Sequence, residues 1–84
     1  MGKKMKNEKF DQAIEGAKLT TAPGCFTMIY LMKSGRVEAE HNRSKEEADR
    51  ARIAGRMARH VPNLVAERVI VDSNGGAEFL IGGE

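Results

Sequence analysis

Apolar residues recur along this chain at two different periods, and the switches between them mark six elements. Asn7 is followed by Phe10, Ala13, Ile14 and Ala17 at helical spacing, which predicts a short helix over residues 8–18 with a narrow apolar stripe. Thr20, Thr21, Ala22, Pro23 and Gly24 break that pattern, and the run from Cys25 to Lys33 is aromatic and aliphatic over the length of a strand. Ser34-Gly35 supplies a tight turn, after which residues 36–41 alternate polar and apolar as a returning strand. Ser44 and Glu47 form a capping box that opens a second helix, and Pro62 ends it with Val61 as the last helical residue. Residues 65–72 read as a third strand, Ser73-Asn74-Gly75-Gly76 as a hairpin turn, and residues 77–81 as the fourth strand.

This order predicts an α+β fold, α-β-β-α-β-β. Its four-stranded, mainly antiparallel sheet packs against one amphipathic helix, with a short helix at the N-terminus. In the second helix, Ala48, Ala51, Gly55 and Ala58 are expected to form a small-residue face on the sheet, flanked by Ala54, Met57 and Val61. Lys45, Arg52, Arg56 and Arg59 are expected on the opposite arc, with Asp49 beside Arg52.

A two-residue turn at Ser34-Gly35 pairs Met32 with Val37, Tyr30 with Ala39 and Met28 with His41. One face then carries Phe26, Met28, Tyr30, Met32, Val37 and Ala39. The other sets Thr27, Ile29, Leu31 and Lys33 against Arg36, Glu38, Glu40 and Asn42, an awkward mixture of apolar and charged groups. A two- or four-residue turn in the second hairpin places Ile70 opposite Phe79 and Val69 opposite Leu80. Ile70, Ala77, Phe79 and Ile81 then share one face, and Val69, Val71 and Leu80 the other.

An antiparallel sheet with one wet face shows clean alternation, so strands that are apolar on both faces require cover on both sides. Either the N-terminal helix lies on the second face, or that face meets a second copy of the chain or another protein. The partner-binding residues in the latter case are Ile29, Leu31, Val69, Val71 and Leu80.

Eighty-four residues bound one domain, expected over residues 7–84 behind a flexible basic tail at residues 1–6. With 40% apolar and 31% charged residues the chain lies near the globular average and is expected to fold. A single cysteine, Cys25, excludes an intramolecular disulfide framework, and no apolar run reaches membrane-spanning length. The basic N-terminus lacks the apolar core of a signal peptide, so a cytoplasmic setting without a membrane partner is expected.

Charge is distributed unevenly. Residues 1–59 carry thirteen Lys and Arg against eight Asp and Glu, whereas residues 60–84 carry Arg68 against four acids. The basic stripe Lys45, Arg52, Arg56 and Arg59, extended by Arg43 and tail residues Lys3, Lys4 and Lys6, is a candidate surface for nucleic-acid phosphates. Four aromatic residues in the whole chain give little material for base stacking, which leaves a solvated helix face as the competing interpretation.

Candidate chemistry is sparse. His41, His60 and Cys25 have no ligand at metal-motif spacing, so no metal is expected. Glu38 and Glu40 share a strand face without an accompanying nucleophile or oxyanion donor in sequence, and Gly75-Gly76 lacks the lysine and helix that follow a phosphate loop. Neither catalysis nor a cofactor is expected. Gly82-Gly83-Glu84 resembles the tail of prokaryotic ubiquitin-like modifiers over those three residues, but such modifiers are acidic and largely disordered, unlike this chain. In size and architecture the domain resembles accessory proteins of phages and mobile elements, including inhibitors of host defence such as anti-CRISPR proteins. That resemblance implies a small protein-interaction module or inhibitor, able to form a homodimer; a nucleic-acid-binding regulator using the basic helix face is the alternative.

Overall fold

Asn7 begins the fold by capping the first helix and tying it to a distant turn. Its side-chain oxygen accepts the Phe10 N–H at 2.9 Å, and its side-chain amide donates to the Gly35 carbonyl at 3.3 Å. The computed structural model describes residues 7–57 and 65–81, excluding the side chains of residues 54–57 and 81. Its elements are α1 (Glu8–Thr20), β1 (Phe26–Met32), β2 (Val37–Arg43), α2 (Lys45–Met57), β3 (Val65–Asp72) and β4 (Ala77–Ile81). The α-β-β-α-β-β order and the four-stranded antiparallel sheet agree with the sequence pattern. Strand order is β2-β1-β3-β4, so α2 carries the chain across β1 in a split β-α-β connection.

Both helices cover the sheet, one on each face. Beneath α1, Phe10, Ile14 and Ala17 pack with Ile29, Leu31, Val69 and Val71, with Ala13, Val37 and Ala66 at the border. Beneath α2, Ala48 packs with Met28 and Ile70, bordered by Phe26, Tyr30, Ala51 and Leu80. The second cluster is smaller because α2 presents alanines and brings few side-chain atoms to the contact.

Both hairpins depart from the expected register by one residue, for the same reason. In the first, Gly35 N–H donates to the Met32 carbonyl and Met32 N–H to the Arg36 carbonyl, both at 2.8 Å, which closes a three-residue loop of Lys33, Ser34 and Gly35. Gly35 sits at φ 95°, in the left-handed region, as a three-residue hairpin loop with a glycine bulge requires. In the second, Gly75 N–H donates to the Asp72 carbonyl and Asp72 N–H to the Gly76 carbonyl, with Gly75 at φ 88°. Leu31 therefore pairs with Val37, Ile29 with Ala39, Tyr30 with Glu38 and Met28 with Glu40. Likewise Val69 pairs with Phe79, Ile70 with Glu78 and Val71 with Ala77.

A slip of one residue moves a strand's side chains to the other face. Val37 and Ala39 thus join Ile29 and Leu31 on the α1 side, and Glu38 and Glu40 join Met28 and Tyr30 on the α2 side. The mixed apolar and charged face anticipated from sequence disappears. Phe79 leaves Ile70 and joins Val69 and Val71, while Leu80 goes to the α2 side with Ile70. The expected pairing of Met28 with His41 is lost, and His41 is exposed on β2.

Near its start β1 meets a bulge that returns the pairing to Phe26 with Arg43. Asn42 lies there at φ 55°, a conformation its short polar side chain tolerates. Its side-chain oxygen accepts the Ala22 N–H at 2.9 Å, fastening the α1–β1 loop to the end of β2. Thr27, fully buried, shares a 2.7 Å hydroxyl contact with Thr21, whose own hydroxyl bonds the Ala17 carbonyl. These bonds satisfy polar groups buried at the lower end of the α1 layer.

The expected end of α2 at Val61 and Pro62, the positions Ala58, Arg59 and His60, the tail at residues 1–6 and the terminal Gly82-Gly83-Glu84 all lie outside the described residues.

Candidate functional site

With both faces of the sheet covered, its surfaces for recognition are its margins and the outer sides of its helices. Four of the five residues expected to bind a partner are core. Ile29 and Val69 and Val71 are 0% exposed and Leu31 is 1% exposed. Of the two alternatives raised by the apolar strands, cover by the N-terminal helix is the one this fold adopts. Leu80, the fifth, lies half-buried on the opposite face against the α2 cluster. The register slip explains its separation from the other four.

The basic stripe is also rearranged. Arg52 stands one helical turn after Ala48 and so shares its sheet-facing side rather than opposing it. Its guanidinium lies 5.6 Å from the centre of the Phe26 ring, donates to Glu78 of β4 at 2.7 Å and donates to Asp49 at 2.6 Å. The bond to Glu78 is the main reason its pKa is raised. Lys45 donates to Asp49 at 3.0 Å, which is the leading cause holding the Asp49 carboxyl below its ordinary range. Both described members of the stripe are thus engaged with acids, while the side chains of Arg56 and Arg59 fall outside the description. Arg43, on β2, lies 3.8 Å from Glu47.

The capping box at the start of α2 is present as expected. Ser44 Oγ accepts the Glu47 N–H at 3.2 Å, and the Glu47 carboxylate accepts the Ser44 N–H at 3.0 Å. That backbone bond is the principal cause lowering the Glu47 pKa. Glu38 pairs with Arg36, and Glu40 accepts the Tyr30 hydroxyl at 3.1 Å. Cys25 is free and half-buried before β1, and no cluster of three metal-ligating side chains occurs among the described residues.

The feature that sequence reading missed is the margin between α1 and β4. Once Phe79 turns to the α1 side, it reaches the rim of the α1 core and meets Phe10 edge to face, with ring centres 6.4 Å apart. It remains 45% exposed. Asp11, Ile14, Glu15 and Lys18 of α1 and Ala77 and Phe79 of β4 line an open groove of about 210 Å³ along this margin. Glu15 and Lys18 bond across one turn at 3.0 Å. The three-residue spacing of Ser73, Asn74 and Gly75 is the sequence signal that would have placed Phe79 here.

No protein family, curated protein or solved structure matches this chain. Its function is therefore argued from these surfaces. A second groove, of about 250 Å³, lies between α2 and β4 and is lined by Phe26, Arg52, Ile70, Asp72 and Glu78 among others. Arg52 already spans it with two ion pairs, so its polar groups serve the packing of α2 on the sheet. No helix of the described residues is long and apolar enough to cross a membrane.

Proposed function

We propose that this chain is a small non-enzymatic protein-interaction module, of the accessory or inhibitor kind suggested by its size and architecture, and that it engages a protein at the α1–β4 margin. One observation carries this reading. Among the described residues, Phe79 is the large apolar side chain of the sheet that is left exposed, and it is exposed beside an edge strand and a groove. Aromatic residues set in a rim of charge are favoured anchors of protein interfaces, because a flat ring buries much area while losing little conformational freedom. Here Asp11, Glu15 and Lys18 supply the charged rim.

The other exposed apolar side chains, Leu19 on α1 and Ile53 on α2, each stand on a helix surface away from any edge strand. Isolated apolar residues of that sort are ordinary. They serve as internal controls. Tagged protein is used to recover partners from cells that express it, comparing Phe79→Lys with Ile53→Lys after circular dichroism has established that both fold. Loss of a partner with Phe79→Lys and its retention with Ile53→Lys is the expected result. Equal recovery by both variants would remove the margin as the working surface.

A further inference from the structure

The two edges of the sheet are protected to different degrees. An edge strand exposes unpaired N–H and C=O groups, and proteins blunt such edges with charges, bulges, proline or short length. On β2 the edge has a bulge, a left-handed residue at Asn42 and the alternating acids Glu38 and Glu40. At β4 the sequence is Ala77-Glu78-Phe79-Leu80-Ile81, and its single charged side chain is bound back to Arg52. No described strand pairs with the outer side of β4.

The backbone phase of β4 follows from its hairpin. Asp72 N–H donates to the Gly76 carbonyl, so by antiparallel alternation Gly76 and Glu78 turn their backbone groups toward β3. Ala77 and Phe79 turn theirs outward. The residue whose ring is exposed is thus also one whose N–H and C=O face the open edge.

We propose that the occupant of this edge is a second copy of the chain, with β4 pairing antiparallel to β4 of the copy about a two-fold axis at Phe79. This rests on the reading of the α1–β4 margin as the working surface. Three features make the edge self-complementary. First, a residue with both backbone groups facing outward can exchange two hydrogen bonds with its own counterpart, and Phe79 meets that condition. Second, the register sets Glu78 opposite Leu80 and Ala77 opposite Ile81, so no like charges oppose each other directly. Third, the axis brings both α1 helices to the same side of the joined sheet in antiparallel orientation. The rim then runs acid, acid, base through Asp11, Glu15 and Lys18 in one copy and in reverse in the other, which turns Lys18 toward Asp11 of the copy. The product is a continuous eight-stranded sheet in which the two Phe79 rings lie side by side between the helices.

A strand pair of five residues flanked by two helix surfaces belongs at the small end of specific interfaces, on the order of 1,000 Å², which corresponds to a reversible dimer. Sedimentation equilibrium on the full chain, from about 5 to 500 μM, spans the range in which such a dimer exchanges with monomer. The variants are Phe79→Lys, which places like charges at the axis, and Ala77→Pro, which removes an outward N–H that no internal bond uses. Circular dichroism establishes that each is folded, and if Phe79→Lys fails to fold, Ala77→Pro decides.

The expected result is a concentration-dependent dimer in the native protein, with its dissociation constant raised about tenfold or more in either folded variant. A native protein that stays monomeric to the top of the range overturns the proposal, as does a dimer that neither variant weakens. The broader reading fails separately, when Phe79→Lys and Ile53→Lys recover the same partners. A monomer whose partner depends on Phe79 would therefore sink the second copy and keep the margin.

Discussion

Replacing Leu31 by Ala tests the central structural finding, that α1 and not a partner covers the second face of the sheet. Leu31 is 1% exposed and lies in one cluster with Phe10, Ile14 and Ala17 from α1 and with Ile29, Val69 and Val71 from the strands. Truncating a leucine in such a setting costs about 2–5 kcal/mol, because the lost transfer energy is joined by that of a cavity which neighbours only partly fill. A domain of 84 residues holds roughly 4–13 kcal/mol in all. A loss of about 3 kcal/mol would thus remove a quarter or more of the stability and lower Tm by roughly 12–24 °C. Leu19→Ala is the control: Leu19 is 87% exposed, and its truncation should stay within about 0.5 kcal/mol of the native value. Urea unfolding followed by far-ultraviolet circular dichroism measures both. Phe10→Ala, on the helix side of the same cluster, should cost about 3–5 kcal/mol, and the double variant should depart from additivity by about 0.5 kcal/mol or more. Were Leu31→Ala to match Leu19→Ala, the face would be open to solvent in the monomer, and the α1 layer would be refuted.

Two further predictions probe the hairpins that set the register. Tyr30 is the single tyrosine of the chain, and burial first, then the nearby Glu40 carboxylate, raises its pKa. The fold favours the neutral phenol, so this contribution to stability is complete below the ordinary value near 10 and is lost as pH rises through the folded value. An ultraviolet absorbance titration should give a midpoint above 10, and Glu40→Gln should lower it without returning it fully, since burial is the larger cause; an unchanged midpoint would contradict the placement of Glu40. Gly75→Ala and Gly16→Ala should change stability in opposite directions, although an added Cβ meets nothing within 4 Å at either site. The first forces a side chain into the left-handed region at a cost of about 1–2 kcal/mol, while the second, within α1, should stabilise by about 0.5–1 kcal/mol. Urea unfolding that gave the same sign for both would refute the three-residue turn.

Element identity was legible in the sequence, because it depends on local signals. The Asn7 cap, the period of Phe10, Ile14 and Ala17, the Ser44–Glu47 box and the glycine turns are each confined to a few residues, and each appears in the structure. Face assignment was less legible because it rests on a loop count. Ser34-Gly35 and Asn74-Gly75 look like two-residue turns, yet in both the preceding residue, Lys33 or Ser73, belongs to the loop and the glycine alone takes the left-handed conformation. That single residue separates a face reading Ile29, Leu31, Glu38, Glu40 from one reading Ile29, Leu31, Val37, Ala39. Arg52 was misplaced for a different reason. Its charge suggested the outer arc, although its phase relative to Ala48 is inward, and the structure reconciles the two by resting the guanidinium on Phe26 between Asp49 and Glu78.

These corrections narrow where a function can reside. Two helices on a four-stranded sheet use both faces, so recognition at the sheet is confined to its edges. Of those, β2 combines a bulge with acids, and its loop to α2 leads straight into a capping box whose polar groups are mutually satisfied. The α2 side of β4 is bridged by Arg52. The α1 side of β4 differs, because the residue that completes the core rim, Phe79, is held there by Phe10 and still shows almost half its surface to solvent. A smaller side chain would have closed the Phe10 contact with less exposed area, whereas a full aromatic ring at the rim leaves apolar surface beside open backbone donors and acceptors. Stability alone does not require that combination. It is the arrangement expected of a strand that recruits another, and it makes the α1–β4 margin, rather than the sheet face or the basic helix, the place to test first.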